Sequence, residues 1–335
     1  MLRSVTWRLG LITTSAMFVL PPTNAGRPAS GRLPDAPGRL IDIGGQRIHL
    51  DCTGRGSPTV VFENGAGDFS VVWSLVQPGI AAFTRACSYD RAGYAWSDPG
   101  NRPRTYDQIA LELHTALQRS GERGPFVLVG QSYGGLLVRN HARRYPNEVA
   151  GLVLVDAMHE DQRIDVGSGK PQRIRDWAKG RVRPEPRIVA DSTLIALRRS
   201  GTSLQVDTMV LEPPLDRLPR SLQDVWRAAS ADSVYRLSWA AEMDWSPEEL
   251  RRMHDQRLRD RATLGNLPLV VISRAAEEPS DSLATERAAL QRDLVTLSHR
   301  ARHVTAARGG HNVHLEEPEL VVDNVRTLVV GVRAR

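Results

Sequence analysis

The stretch VLVGQSYGGLLV, residues 127–138, decides how this chain reads. A run of Val and Leu, the pattern of a strand buried on both faces, meets Gly130-Gln131-Ser132-Tyr133-Gly134-Gly135 and resumes as an apolar helical pattern that reaches Pro146. Gly-x-Ser-x-Gly between a strand and a helix lets the two approach across a sharply bent backbone, and the bend lifts the Ser132 hydroxyl above the sheet. An open α/β sheet binds ligands at the carboxyl ends of its strands, where a helix N-terminus points N–H groups at developing negative charge. Glycine-rich turns also serve packing alone, but the strand before and the helix after make Ser132 a candidate nucleophile.

The flanking sequence repeats the alternation. RLIDIGGQRIHLDCTG reads as two short strands turned at Gly44-Gly45, and PTVVFENGAG and RACSYDRAGYAWSDPG each read as a strand entering a loop. Residues 105–120 place Ile109, Leu111, Leu113, Ala116 and Leu117 at helical spacing before Gly121. VAGLVLVDAMH and LPLVVISRAAEE read as buried strands, followed by a helix over 282–297, a strand in RHVTAARGGHNVH and a last helix from Pro318 to about Val332. Between Met158 and Asn266 there is no convincing strand, only helical signals with Trp177, Trp226, Trp239, Trp245, Met209 and Met243. The pattern predicts one α/β domain, its parallel sheet covered on both faces, interrupted by a helical insertion and without internal repeats.

A serine hydroxyl is a weak nucleophile until a base takes its proton, and that base needs an acid to orient it. Of nine histidines, His311 in ARGGHNVHLEEPE lies in a glycine-prefaced loop between the last strand and the last helix. His114 and His141 fall in helix interiors, His49 in a strand, and His303 at a strand start, the wrong end. His314 shares the loop; its spacing to His311 resembles a metal pair, but no third ligand accompanies it, so it reads as a packing or hydrogen-bonding residue. For the acid, Asp156 ends LVLVD at a strand terminus, where an unpaired buried carboxylate would be costly. Glu277, Glu278 and Asp281 form the rival set.

At 335 residues, 41% hydrophobic and 24% charged, the chain lies in the range of ordinary globular proteins. The net charge of +6 is concentrated in KPQRIRDWAKGRVRPEPR, which carries acids and prolines without aromatic interleaving. It reads as a solvated helical face and loop rather than a nucleic-acid surface. Arg3 and Arg8, an apolar run over residues 9–20, Pro21-Pro22 and Thr23-Asn24-Ala25 predict a secretory signal peptide over 1–25, with an uncleaved membrane anchor as the alternative. A Pro/Gly-rich linker follows over 26–38, and no other uncharged run is long enough to span a membrane. The two cysteines, Cys52 and Cys87, sit at or near strands; they are buried thiols or, in an oxidising compartment, a bridge if those strands are neighbours. No metal-ligand spacing involves either, and no motif asks for a cofactor.

Four motifs in order carry a resemblance to the α/β-hydrolase superfamily, specifically its capped serine hydrolases: PTVVFENGAG for the oxyanion loop, YDRAGYAWSDP for the loop after the next strand, VGQSYGG for the nucleophile turn and GGHNVHLEEPE for the histidine loop. The resemblance covers Arg39 to Val332 apart from the insertion. It implies an eight-stranded mostly parallel sheet, a helical cap over 158–262 between strands six and seven, and a core formed by 39–157 and 263–335. It further implies oxyanion donors from the backbone N–H groups of Tyr133 and Ala66, and neighbouring strands for Cys52 and Cys87, which favours a disulfide. Asn64 stands where many relatives have histidine, and the loop after strand seven lacks the usual Gly-x-x-Asp, which moves the acid to Asp156. Serine at 132 disfavours dehalogenase and epoxide-hydrolase chemistry, whose relatives carry aspartate there.

The expected activity is hydrolysis of a carboxylic ester or lactone with an apolar part, through Ser132, His311 and Asp156. The alternatives are a peptidase resembling the proline iminopeptidases, with Glu242, Asp244, Glu248 or Glu249 of the cap binding a free amine, and a weakly catalytic ligand-binding protein on the same fold.

Overall fold

The computed structural model describes residues 33–164, 170–180, 183, 187–200, 211–275 and 282–334. Eight strands form the central sheet: β1 (Arg39–Asp42), β2 (Arg47–Thr53), β3 (Val60–Glu63), β4 (Ala86–Tyr89), β5 (Phe126–Gln131), β6 (Val149–Val155), β7 (Leu269–Ser273) and β8 (Ala301–Thr305). Their spatial order is β1-β2-β4-β3-β5-β6-β7-β8. The pairs β1/β2 and β2/β4 are antiparallel and the rest parallel, so the sheet is the mostly parallel one expected. The hairpin between β1 and β2 closes where the Asp42 carboxylate accepts hydrogen bonds from the N–H groups of Gly44 and Gly45, both 2.8 Å, and both glycines adopt positive φ.

Every residue of β3, β4 and β5 is buried, the apolar ones as a sheet covered on both faces requires and Glu63, Ser88 and Gln131 with them. Alternation along the strands divides the core. Val60, Phe62, Val127, Val129, Val153, Val155, Val270 and Ile272 face one layer, which the helix α9 (Pro318–Arg333) closes with Val321, Val325 and Val329. Val61, Leu128, Leu152, Leu154 and Val271 face the other, closed by Leu113, Ala116 and Leu117 of α2 (Tyr106–Ser120) and Val138 of α3 (Tyr133–Arg144). Helix α2 starts where Thr105 accepts from the Gln108 N–H and stops at Gly121, φ +85°.

Between β6 and β7 the chain holds α4 (Ser192–Ser200), α5 (Arg220–Ser230) and the 27-residue α6 (Ser233–Arg259). The expectation of no strand here needs amending. Arg163–Ile164 pairs with Gln172–Arg173, and Val189–Ala190 pairs with Asn101–Arg102 outside the insertion. Two-residue ladders are too short to leave a period in sequence. The basic stretch expected as a solvated face holds a 3-10 turn, Ile174–Ala178, whose end residues are buried. Trp226 is buried while Trp177, Trp239, Trp245 and Met243 are half-buried; Met209 lies outside the described residues.

Cys52 and Cys87 stand opposite each other on β2 and β4 and form a disulfide, Cα–Cα 4.0 Å. Residues 1–25 lie outside the described residues, among which no helix is long and apolar enough to cross a membrane.

Candidate active site

Ser132 sits in the one-residue bend between β5 and α3 with φ +51° and ψ −120°, a conformation unfavourable for a residue with a side chain and retained here by its surroundings. Its N–H donates to the Val155 carbonyl at 3.1 Å, and its own carbonyl accepts from the N–H groups of Gly135 and Met158 at 3.0 and 2.8 Å. The glycines are required by contact as well as by bending. A Cβ on Gly130 would lie 2.5 Å from the Gly134 carbonyl oxygen, and one on Gly134 would lie 2.5 and 2.7 Å from the carbonyl oxygens of Glu63 and Asn64.

The histidine loop and the end of β6 meet at this serine. His311 Nε2 lies 3.0 Å from Ser132 Oγ, and His311 Nδ1 lies 2.6 Å from Asp156 Oδ2. Asp156 is buried, has φ +39°, and is anchored by its N–H to the Ile272 carbonyl at 2.6 Å. Burial works to raise its carboxyl group, but hydrogen bonds from His311 and Arg274 outweigh it and hold the group below the usual carboxylate range. An ionised Asp156 accepting the Nδ1 proton leaves the lone pair of Nε2 toward Ser132 Oγ, the tautomer a general base requires. Ser132 is half-exposed and His311 exposed, so the pair is open to an incoming molecule.

Of the two expected oxyanion donors, Tyr133 opens α3 with its ring buried against Tyr106, and Ala66 is exposed in the turn after β3. Side chains that the sequence reading passed over hold that turn. Arg91, wholly buried, donates to the carbonyls of Asn64 and Gly65, both at 2.8 Å, and pairs with Glu63 at 2.9 Å and Glu242 at 3.1 Å. Asn64 holds the start of the turn: its Nδ2 donates to the Tyr89 carbonyl at 2.8 Å, and its Oδ1 accepts from Trp73 Nε1 at 3.0 Å. Gln131 Nε2 reaches the His311 carbonyl and Asn312 Oδ1, both at 3.3 Å, while its Oε1 presses on Gly65 where a Cβ would stand. Glu317 secures the histidine loop by accepting from the N–H groups of Ala307, Arg308 and Gly309.

The other candidates stand apart. His314 is buried against Trp73, ring centroids 4.7 Å apart, and burial pushes its imidazole down to about 3, so it packs as a neutral ring. His303 is the third residue of β8 rather than its start, and its Nε2 lies 3.0 Å from Ser273 Oγ. Glu277, Glu278 and Asp281 lie outside the described residues. Two groups at the site gave no sequence signal: Arg274, whose guanidinium meets Asp156 Oδ2 at 2.6 Å, and Asp68, half-buried in the turn after β3, where burial pushes its carboxyl up to about 6.

The arrangement matches known proteins at two levels. The chain is 27% identical over 289 residues to an AB hydrolase superfamily protein of Gibberella zeae, covering 82% of this chain and 87% of that one. In fold it is similar to an ancestral haloalkane dehalogenase (TM-score 0.60, 16% identity, 89% of this chain and 100% of the other). It is likewise similar to a serine hydrolase involved in carbazole degradation (TM-score 0.58, 17% identity, 87% and 98%). The model of the alpha/beta hydrolase family matches residues 60–324, which hold the serine, the histidine and the acid alike. By its sheet order, its strand-to-helix serine and that match, the chain belongs to the alpha/beta hydrolase family and is a hydrolase of that fold.

Proposed function

We propose that the protein hydrolyses a carboxylic ester or lactone through an acyl-enzyme on Ser132. The observation that carries this reading is the unbroken relay from Ser132 Oγ through His311 to Asp156, with contacts of 3.0 and 2.6 Å. Ser132 attacks the carbonyl carbon while His311 Nε2 takes its proton, Asp156 offsets the imidazolium charge, and the N–H groups of Tyr133 and Ala66 receive the oxyanion. His311 then protonates the leaving alcohol, and water, deprotonated by the same nitrogen, releases the acid. Half-buried Trp239, Leu215 and Leu222 pack from the segment between β6 and β7 onto the core, which supports an apolar acyl or alcohol part.

The peptidase alternative needs a free cap carboxylate for the substrate amine. Each candidate is engaged: Glu242 by Arg91 and Tyr94, Asp244 and Glu248 by Arg183, and Glu249 by Arg252 and the Tyr106 N–H. The same proposal divides the chain into a leader over 1–25, a linker over 26–38, a core over 39–157 and 263–335, and a cap over 158–262. It also assigns export, which the disulfide supports, since such bridges persist in oxidising compartments.

One experiment tests both parts. The full chain is expressed with export, recovered and treated with a fluorophosphonate. Intact and peptide masses are expected to show a chain starting at Gly26 with one adduct on Ser132. Ser132→Ala abolishes the adduct, and Asp156→Asn slows it by roughly 10³-fold. No adduct on folded protein overturns the acyl-enzyme, and a retained leader overturns export as a cleaved chain.

A further inference from the structure

The turn after β3 carries a carboxylate that none of this chemistry uses. Asp68 stands two residues beyond Ala66, is half-exposed, and among the described residues makes no hydrogen bond or ion pair through its side chain. Its Oδ2 lies 3.0 Å from the point where a Cβ on Gly65 would stand, the point that also meets the Gln131 amide beside His311. Arg91 is the fixed cation whose charge reaches it, the His311 imidazolium formed in turnover adds to that, and from the cap the Tyr235 hydroxyl feels it in turn. The neighbouring Gly67 faces the same helix: its carbonyl accepts from Tyr235 at 2.5 Å, and a Cβ there would lie 3.9 Å from the Trp239 indole. Asp68 therefore sits in the seam between the oxyanion turn and α6, on the side of the catalytic histidine.

An incompletely solvated carboxylate without a donor raises the energy of the empty site, and a donor delivered by a ligand relieves that. Arg91 does not serve: four of its five N–H groups go to Glu63, Glu242 and the carbonyls of Asn64 and Gly65, and among the described residues no hydrogen bond joins it to Asp68. A carboxylate beside aromatic rings favours a cation over a neutral donor. The four cap carboxylates first considered for such a role are engaged, which leaves this one on the core side.

We propose that Asp68 is a specificity residue that receives a protonated amine carried by the substrate, so that the esters consumed at Ser132 are amino esters. The proposal rests on the acyl-enzyme reading and adds the substrate class to it. Neutral isosteres bind the same cleft but leave Asp68 without a donor.

The test compares kcat/KM at pH 7 for methyl alaninate against methyl isobutyrate, and methyl ε-aminocaproate against methyl heptanoate. The wild type is expected to prefer the amino member of at least one pair. Asp68→Asn lowers that preference roughly ten-fold, mainly through KM, and Asp68→Glu restores part of it. With Arg91 fixed in charge and Tyr235 neutral, and His311 acting alike on both members of a pair, the wild-type ratio falls toward that of Asp68→Asn as pH drops below about 6. Independently of turnover, n-butylammonium slows fluorophosphonate labelling of Ser132 in the wild type more than in Asp68→Asn, whereas n-butanol does not discriminate. Equal ratios and equal protection in wild type and Asp68→Asn overturn the assignment while a Ser132 adduct leaves the acyl-enzyme standing. Absence of the adduct overturns the acyl-enzyme itself.

Discussion

Arg274 places a fixed positive charge beside the proposed relay of Ser132, His311 and Asp156. Its Nη2 is 2.6 Å from Asp156 Oδ2 and 2.9 Å from His311 Nδ1, so one carboxylate oxygen serves two donors. A guanidinium has no acceptor, and Nδ1 carries the proton that Asp156 accepts, so the contact between Arg274 and the ring sets donor against donor. Arg274 therefore orients and ionises Asp156 while opposing the imidazolium that catalysis forms. Arg274→Gln is expected to move the acid limb of the kcat/KM profile to higher pH by roughly half to one unit, because a like charge a few ångströms away has been removed. An unmoved limb would show that solvent already screens the guanidinium from the ring. None of this was legible beforehand: an arginine one residue past a buried strand has no periodicity or spacing, and only the fold carries it to a carboxylate 118 positions away. Ser132 was legible because its chemistry demands local backbone, glycines included, that is written in consecutive residues.

At the scale of elements, the turn after β3 and helix α6 are tied through the buried Arg91–Glu242 pair as well as the Tyr235–Gly67 hydrogen bond. Arg91, on the loop after β4, gives its Nη atoms to the carbonyls of the turn and to Glu63, and its Nε to Glu242 on α6, which also accepts from the Tyr94 hydroxyl at 2.8 Å. The pair's own net contribution is small after desolvation, yet removing Glu242 leaves the buried Arg91 with Glu63 as its remaining carboxylate among the described residues. Glu242→Gln is expected to lower unfolding free energy by about 3 kcal/mol in a denaturant titration. It should also lower kcat/KM, since the arginine that fixes the turn loses its hold. A loss below about 1 kcal/mol would mean that water replaces the carboxylate and that the cap is held by its apolar contacts. The sequence showed α6 as helical signal and Glu242 as one of several cap acids; which of them turns inward depends on a partner 151 residues earlier. The strands and the long helices, by contrast, were readable because burial on one or both faces imposes a local period.

Across the whole molecule, two buried histidines without a ring partner set a direction for acid sensitivity. His141 in α3 and His314 beside Trp73 are almost fully buried without a hydrogen bond to either ring nitrogen, and burial pushes both imidazoles down to about 3. In the unfolded chain the same groups protonate near 6.5. Between those limits the unfolded state binds protons that the native state refuses, so each histidine removes stability as pH falls, by about 1.4 kcal/mol per pH unit. His49, paired with Asp90, and Asp68, with its raised carboxyl, work the other way, because each gains its proton more readily when folded. A net curve would therefore mix signs, and a variant isolates the contribution. His314→Phe keeps an aromatic ring against Trp73 and removes the titration. Its loss of unfolding free energy between pH 7.5 and 5.5 is expected to be smaller than the wild type's by roughly 1 kcal/mol, measured in urea at both pH values. If the two proteins lose the same amount, His314 accepts its proton in the folded state, and water must then reach the ring beneath the histidine loop.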